Sequence, residues 1–572
     1  MRAAVVLSPV SLAISSHPPF SAGFCFPAIR PESPLRNNIQ GDSTRHALGS
    51  KLSRTNPFRL STLTFHLLPH LRVGSLYNWL TSRGAGILLH PTSLPGDTGI
   101  GTIGQWARRF VDFLAAVGMQ YWQVCPLGPT GYGDSPYQCF SAFAGNPYLI
   151  DLDEFKNEGL LQESDLEPLR TLAIDYVDYG AQWELRWRVL QKAYSNFSET
   201  ASGSSRDAFL KFRDANSDWL KSYALFMALK ERFGHRSWSE WPEPYRNYRK
   251  LIKRQNIETG AGLAHAFYQF KFFQQWSALK SYANQRGVSI FGDLPIFVAM
   301  DSADVWTHPF LFQMDAELRP TGIAGVPPDY FAAGGQRWGN PLYAWERHAT
   351  DEYAWWCARL EKSFELYDVV RIDHFRGFDQ YCRIPPKAEN ASEYTWEPGP
   401  GLQFFETVHR RFPDAKLVAE DLGMITDSVR RLVHEAGLPG MKVLQFGFEG
   451  ATEYLPHSAI PYSVLYPGTH DNDTSWGWFK NQPDPVKQYL AEYLRTDAKD
   501  VSWEMIHAGY ASASLIFVAP LQDFLGLGSE ARMNTPGQAI GNWRWRFTLE
   551  QFDRLWAEQA QPLRDLSRLY QR

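Results

Sequence analysis

The stretch DVVRIDHF, residues 368–375, decides the fold of this chain. Its apolar residues run almost without a break, and charged side chains then follow at Arg371, Asp373 and His374. A near-continuous apolar run of this length is typical of a strand that is buried on both faces of a parallel sheet. The stretch therefore predicts such a strand, with ionisable groups at its carboxyl end.

Seven further segments show the same pattern of an apolar run that ends in polar or charged residues. They are residues 86–92, 121–127, 289–298, 416–423, 441–448, 463–471 and 514–524. Apolar residues with helical spacing follow the first of these, at positions 106, 107, 110, 111, 114 and 117. After the run at 416–423, Ser428 is expected to cap a helix that buries Val429, Leu432 and Val433. Eight runs with helices between them predict an α/β fold, a TIM (β/α)8 barrel.

The eight runs span far more of the chain than the roughly 250 residues that a plain barrel needs. The excess lies in a mostly helical insertion at 128–288, after the second strand, and in a Gly/Pro-rich loop with further helix at 299–367, after the third. Too few residues follow the eighth strand for a C-terminal β-sandwich. We therefore expect one barrel domain at 74–572 that carries both insertions.

Residues 1–73 have a different composition from the rest of the chain. They contain eight Lys and Arg residues and only two acids, Glu32 and Asp42, and they are rich in Ser, Pro and Asn. This profile is typical of an organelle transit peptide. A disordered N-terminal extension and a spurious start upstream of Gly74 are the alternatives. We expect no part of the barrel here.

Composition limits the classes of partner and of site. The net charge of −4 argues against nucleic acid, and no apolar run approaches the roughly 18 residues of a membrane span. The five cysteines are scattered and form no C-x-x-C pair, which argues against a disulfide framework or a thiolate zinc site. The 21 Trp, 26 Tyr and 37 Phe residues serve either a large core or the stacking of sugar rings, and composition alone does not separate these.

Ionisable residues recur at the carboxyl ends of the predicted strands, where barrel enzymes carry their chemistry. A single acid at one strand end is often paired with a neighbouring Arg for stability. Several acids on one rim cost free energy unless a reaction uses them, so the pattern favours an active site. The residues are His90, Asp293, Arg371, Asp373, His374, Glu420, Asp421, His470 and Asp471.

Two chemistries use such a rim. Metal-dependent hydrolysis would take His90, His374 and His470 with the acids as ligands, but the chain offers no H-x-H or H-E-x-x-H pairing. Glycosyl transfer needs a pair of carboxyl groups across the scissile bond. Asp373 and Glu420, on adjacent strands, are expected about 5 Å apart, the separation of a retaining mechanism. We therefore favour glycosyl transfer and expect neither a metal nor a cofactor.

Nine segments of the chain, in this order, form a specific set of motifs. They are SPYQCFSAFAGNPYLIDL (135–152), FGDLPIFV (291–298), GVPPDYF (325–331), GQRWGNP (335–341), RIDHFRGF (371–378), AEDLG (419–423), GTHDND (468–473), LQDFLGLGSEARMN (521–534) and GNWRWR (541–546). The set resembles the 4-α-glucanotransferases, the amylomaltase or disproportionating-enzyme family, glycoside hydrolase family 77. The resemblance runs from about residue 85 to the C-terminus.

The resemblance implies a role for each matched residue. Asp373 corresponds to the nucleophile, Glu420 to the general acid/base and Asp471 to the group that stabilises the transition state. The implied substrate-binding residues are Tyr137, Asp293, Tyr330, Phe331, Gln336, Trp338, Asn340, Arg371 and His470. Tyr330, Phe331 and Trp338 are expected to cover the acceptor site and exclude water, while Tyr137 and Trp543 either stack on sugar or pack in the core. The segment AAGGQRW (332–338) departs from the family's Ser/Thr-containing stretch.

The implied activity is transfer of a 1,4-α-glucan segment, with maltooligosaccharides and α-1,4-glucans as partners. An α-glucan hydrolase on the same barrel is the nearest alternative, and a catalytically silent glucan-binding protein is another. The segment FAGNPYLIDL (143–152) is closer to bacterial relatives than to plant ones, which favours the cytoplasm of a bacterial-type enzyme. The plastid stroma is the alternative if residues 1–73 form a transit peptide. Oligomeric state does not follow from the sequence.

Overall fold

A computed structural model describes residues 78–253, 260–328 and 334–572. The extension expected at 1–73 lies outside these residues. The described part contains two β-sheets, whose strands are β1 (Gly84–Leu88), β2 (Tyr121–Gln123), β3 (Ser289–Leu294), β4 (Ile323–Val326), β5 (Gln336–Pro341), β6 (Val369–Ile372), β7 (Gln380–Ile384), β8 (Thr395–Pro398), β9 (Leu417–Ala419), β10 (Gly440–Val443), β11 (Ser463–Tyr466) and β12 (Ile516–Pro520).

The larger sheet is an eight-stranded parallel barrel, which confirms the predicted fold class. Its strand order is β10-β11-β12-β1-β2-β3-β6-β9, and every pair within this order is parallel. The first and last strands of this order, β10 and β9, close the barrel: the Ala419 amide at the end of β9 donates to the carbonyl of Pro439, just before β10, at 2.9 Å. Each predicted run overlaps one strand, but most strands are shorter, because the runs continue into the loops at their carboxyl ends.

Side chains of the barrel strands alternate between two cores. Phe291, Val369 and Val418 belong to the cluster inside the barrel. Ile290 and Val370 belong to the larger cluster that joins the outside of the barrel to its helices. Successive residues of a strand point to opposite faces, so both faces of every strand are apolar. This is why the runs are almost continuously hydrophobic.

Helices surround the barrel, and one predicted cap is wrong. The main helices are Gln105–Ala116, Gly260–Gln285, Ala354–Leu366, Leu402–Arg411, Asp427–Glu435, Asp484–Leu494, Val501–Ala511 and Ala560–Tyr570. Val429, Leu432 and Val433 are buried as predicted, but Thr426 caps their helix and accepts from the Val429 amide at 3.4 Å. The Ser428 hydroxyl donates to Asp379 instead. Thr426 and Ser428 can both cap a helix, and the helix begins directly after Thr426, the first of the two.

Further elements are inserted between the barrel strands. The segment between β2 and β3 holds the helices Tyr179–Thr200, Gly203–Ala215 and Leu220–Arg232. The second sheet is antiparallel, with the order β5-β4-β7-β8. The sequence predicted a loop and helix for the region of β4 and β5, and it predicted nothing for β7 and β8, which lie between β6 and β9. These strands are four to six residues long and partly exposed, so their apolar pattern is weak.

The described residues add two negative findings. After β12 they contain no further strand, which agrees with the expected lack of a β-sandwich in that region. None of their helices combines the length and apolar character that crossing a membrane requires.

Candidate active site

Strand register places the ionisable residues side by side on one rim of the barrel. Asp293 of β3 is the register partner of Arg371 of β6, and Arg371 is the partner of Val418 of β9. Two positions further along, Asp373 and Glu420 correspond to one another just beyond the strands. Neighbouring strands lie about 4.8 Å apart, so these two residues start from adjacent backbone positions. The expected separation of about 5 Å between their carboxyl groups stays a prediction.

The guanidinium of Arg371 holds two of the acids. Its Nη1 donates to both carboxylate oxygens of Asp293, at 2.8 and 2.7 Å, and to Oδ1 of Asp373 at 2.9 Å. The Tyr137 hydroxyl donates to Oδ2 of Asp293 at 2.8 Å. Asp293 and Arg371 are buried, so each charge depends on the other for its stability. This network fixes Asp373 at the end of β6.

Asp373 and Glu420 have raised pKa values for related reasons. Burial raises the pKa of Asp373 to about 7; the Arg371 cation opposes this, and the charges of Asp293 and Asp471 add to it. Burial raises the pKa of Glu420 to about 8 and the charge of Asp373 adds to this, while the Arg371 cation and the hydrogen bonds from the Leu422 and His374 amides oppose the rise. Arg371 hydrogen-bonds Asp373 alone of the two, so Glu420 is the carboxyl that keeps a proton while Asp373 is ionised.

Two backbone amides fix the Glu420 side chain. Its Oε2 accepts from the His374 amide at 2.7 Å, and its Oε1 accepts from the Leu422 amide at 2.9 Å. His374 reaches this position because its backbone is left-handed, with φ 51° and ψ 49°, which is uncommon for a residue other than glycine. The chain turns sharply after Asp373, and this turn directs the His374 amide at the Glu420 carboxyl group, which follows the neighbouring strand β9.

Asp471 is held by two residues, Arg532 and Asn534, to which the sequence assigned no role. Nδ2 of Asn534 donates to Oδ1 of Asp471 at 2.7 Å, and the Arg532 side chain donates to the Asp471 carbonyl. Nε2 of His470 lies 3.4 Å from the same Oδ1. Asn534 and Arg532 end the motif LQDFLGLGSEARMN, so the motif carried the signal for them. Nothing in the sequence showed which acid they contact.

Three aromatic rings line the same region. Tyr137 stacks on the His470 ring at a centroid distance of 5.0 Å, and Trp543 lies 5.8 Å from both rings. Trp543 is buried, so packing is its observed role. Burial and Arg371 lower the pKa of His470, although Asp471 opposes them, so this imidazole is neutral at pH 7. The stack fixes His470 beside Asp471.

The antiparallel sheet brings part of the predicted acceptor loop to this rim. Trp338 lies edge-on to the His374 ring at 4.9 Å, and its indole N–H donates to Oε1 of Gln336 at 3.2 Å. Asn340 is buried, donates to the Val298 carbonyl and accepts from Gln138. Tyr330 and Phe331 lie outside the described residues. Substrate contacts of Gln336, Trp338 and Asn340 stay predictions, since Asn340 is here a link between loops.

The three histidines that a metal site would have used lie in different surroundings. His90 is buried, and this burial lowers its pKa to about 3. Burial also lowers the pKa of His374 to about 3, beside the cations Arg376 and Arg371. Among the described residues, no group of three or more His, Cys, Asp or Glu side chains is arranged to hold a metal ion. Asp293 and Asp373 use their oxygens on Arg371 instead.

Comparisons with known proteins agree with this geometry. The profile of the family described as 4-alpha-glucanotransferase matches residues 89–550. The 4-alpha-glucanotransferase of Thermus thermophilus is 48% identical over 479 residues, 81% of this chain and 94% of that protein. The chloroplastic/amyloplastic 4-alpha-glucanotransferase of Arabidopsis thaliana is 40% identical over 498 residues, 86% of each chain.

A solved structure extends the likeness to three dimensions. The amylomaltase from Streptococcus agalactiae in complex with acarbose superimposes with a TM-score of 0.82 at 37% identity, covering 86% of this chain and 99% of that one. Family profile, relatives and fold agree over most of the chain. The chain belongs to the 4-alpha-glucanotransferase family, glycoside hydrolase family 77.

Proposed function

We propose that this chain transfers a segment of a 1,4-α-D-glucan to the 4-hydroxyl of an acceptor glucose or glucan, by a retaining double displacement. The observation that carries the proposal is the pair of carboxyls at adjacent strand ends, with Asp373 bound to Arg371 and Glu420 bound to two backbone amides. The Arg371 cation favours the ionised form of Asp373, whereas burial and the charge of Asp373 favour the protonated form of Glu420 against the pull of its two amide bonds. A retaining glycosidase needs this division between a nucleophilic carboxylate and a carboxylic acid. The proposed partners are maltooligosaccharides and α-1,4-glucans.

In the first half-reaction, Asp373 attacks the anomeric carbon of the donor. The bond from that carbon to the glycosidic oxygen breaks, and Glu420 gives its proton to the departing oxygen. A β-glucosyl-enzyme ester forms on Asp373, and the shortened glucan leaves with a free 4-hydroxyl. The raised pKa of Glu420 supports this role, because the group is protonated at neutral pH.

In the second half-reaction, Glu420 is ionised and takes the proton from the acceptor's 4-hydroxyl. The acceptor oxygen attacks the anomeric carbon, and Asp373 leaves as a carboxylate. Two inversions restore the α configuration. Asp471 is proposed to bind ring hydroxyls, in contacts that strengthen as the ring flattens, and Asn534 holds the carboxylate for that task.

Transfer requires that a sugar compete better than water for the glucosyl-enzyme. Trp338 lies against His374, the residue between Asp373 and the 3-10 helix Phe375–Phe378, so it borders the reacting pair. We propose that Trp338 shapes the acceptor side of the site and restricts water there. The alternative activity, hydrolysis of α-glucans, would use the same three acids and differs only in that water is admitted to the acceptor side.

Incubation of the protein with maltotriose distinguishes transfer from hydrolysis. Transfer produces glucose together with a ladder of longer maltooligosaccharides, and the number of reducing ends stays constant. Hydrolysis produces only shorter sugars and raises the number of reducing ends. Pure shortening would refute the transferase proposal, and no reaction in the presence of all three acids would favour a silent glucan-binding protein. The Asp373→Asn variant serves as the matched inactive control.

For the compartment, we propose the cytoplasm of a bacterial-type enzyme. The proposal is supported by the higher identity to the Thermus protein, 48%, than to the Arabidopsis one, 40%. The plastid stroma is the alternative. N-terminal sequencing of the protein from its source tests it: a mature start near residue 74 after cleavage of a longer precursor would refute the cytoplasmic proposal.

A further inference from the structure

The barrel has one seam where the backbone ladder is incomplete, and it lies at the strand that precedes Glu420. Both strands of this seam, β9 and β10, are within the described residues, yet no ladder pairs them. A single backbone bond joins this end of the seam, from the Ala419 amide to the Pro439 carbonyl, at 2.9 Å. The other seven seams have paired residues. The seam beside Glu420 therefore differs from the rest.

The backbone hydrogen bonds of the intact seams show which bond is missing between β9 and β10. Where Val370 is the partner of Leu417, the Val370 amide donates to Lys416, one residue before the partner. Where Gln123 is the partner of Phe291, the amide of Val124, one residue later, donates to Phe291. A parallel ladder alternates these two slanted bonds. By the same rule Ala419 partners Gly440, and the Met441 amide should donate to the Ala419 carbonyl.

The Met441 amide donates to a side chain instead. Its acceptor is Oδ1 of Asp421, at 2.7 Å. A Cβ built on Gly440 would lie 2.5 Å from Oδ2 of Asp421, so the carboxylate occupies the space next to that glycine's backbone. The AEDLG motif thus supplies two carboxyl groups, and the proposed mechanism uses only that of Glu420.

This replacement has a geometric consequence for the neighbouring residue. Because the Ala419 carbonyl makes no bond to the described residues of β10, the chain is free to turn away from β10 at Glu420. In that turn Oε1 of Glu420 accepts from Leu422, and Oε2 reaches His374 on the β6 side. Asp421 meanwhile satisfies the donor that the turn leaves on Met441, a group that would otherwise be buried without a partner.

We propose that Asp421 is a positioning residue for Glu420: its carboxylate replaces the missing backbone acceptor, closes the barrel seam and holds the turn that aims Glu420 at the scissile oxygen. The inference rests on the proposed acid/base role of Glu420. What matters in Asp421 is an acceptor oxygen at this place, and not its charge. Burial raises the pKa of Asp421 to about 6, although the bond from the Met441 amide and the cations Lys442 and Arg430 oppose the rise.

The test compares Asp421→Ala with Asp421→Asn, which keeps an acceptor oxygen. With maltotriose, Asp421→Ala should lose about 10- to 100-fold in kcat, because a misplaced general acid forfeits much of its contribution to the rate, with KM changed less than about twofold. Asp421→Asn should stay within about threefold of the parent. A donor with a fluoride leaving group needs no acid, so first-turnover fluoride release by Asp421→Ala should stay near the parent rate. A general structural defect would slow both donors alike.

Gly440→Ala provides a second route that leaves Asp421 in place. The new methyl group must displace the carboxylate, so the variant should show the same selective loss with maltotriose, and Asp421→Ala/Gly440→Ala should be no slower than Asp421→Ala. This route keeps the test valid if Asp421→Ala does not fold. Parent-like kcat in Asp421→Ala, or equal losses in Asp421→Asn and Asp421→Ala, would overturn the inference. Full activity of Glu420→Gln would instead refute the proposed function.

Discussion

Replacing Glu420 by Gln tests the proposed mechanism most directly. The substitution removes the only proton that the mechanism gives to the departing oxygen and keeps nearly the same shape. The carboxamide has one acceptor oxygen, whereas Glu420 accepts from both His374 and Leu422. One of these amides loses its acceptor, which costs about 1–3 kcal/mol of stability. Thermal denaturation measures this cost separately from activity.

The expected loss of rate follows from the chemistry of the leaving group. Positioned general acids contribute about 10²- to 10⁴-fold, or about 3–5 kcal/mol, when the leaving oxygen needs a proton. With a pKa of about 8, Glu420 is protonated in nearly every molecule at pH 6. Glu420→Gln should therefore lose this factor in full with maltotriose. A maltosyl fluoride should still form the ester on Asp373, because fluoride leaves without protonation.

The assay combines a pH profile with trapping of the ester. The parent should show a bell-shaped profile, because the coupled pair of Asp373 and Glu420 must hold one proton and its raised apparent pKa values lie near 7 and 8. Glu420→Gln should lose the alkaline limb. With maltosyl fluoride it should accumulate a glycosylated peptide that contains Asp373, visible by mass spectrometry. A parent-like rate with maltotriose, or an ester on another residue, would refute the reasoning.

Three further predictions concern residues around the pair. Asn534→Ala should lower kcat/KM for maltotriose about 10-fold by removing a charge-assisted bond to Asp471; an unchanged value would remove Asn534 from the site. Trp338→Ala should raise reducing-end release severalfold relative to transfer, while a constant ratio would contradict its proposed role. Burial raises the pKa of Asp421 to about 6, so the stability that this group contributes is present below about 4 and lost as pH rises through 6. Asp421→Asn should melt at or above the parent temperature at pH 8, and a lower temperature there would contradict the reasoning.

The sequence determined the barrel because both faces of its strands are buried. Burial on two faces forces continuous apolar runs, and such runs are readable without knowledge of their neighbours. The rim acids were readable too, because a strand's carboxyl end is a local property of the chain. Hence the runs that contain Asp293, Asp373 and Glu420 were found, whereas the short strands β4, β5, β7 and β8, most of them partly exposed, were not.

Contacts between distant parts of the chain were decided only by the tertiary structure. Asn534 reaches Asp471 across 63 residues of sequence, and Arg371 reaches Asp293 across 78. The register of β3, β6 and β9 sets which acid shares Arg371, and a left-handed His374 sets which oxygen of Glu420 receives an amide. In the sequence Asp421 was one more acid on the rim, and only the structure shows that it accepts from the Met441 amide, at a seam where no ladder pairs the described strands β9 and β10. Such features depend on how strands from separate segments align, and no local pattern of side chains encodes that alignment.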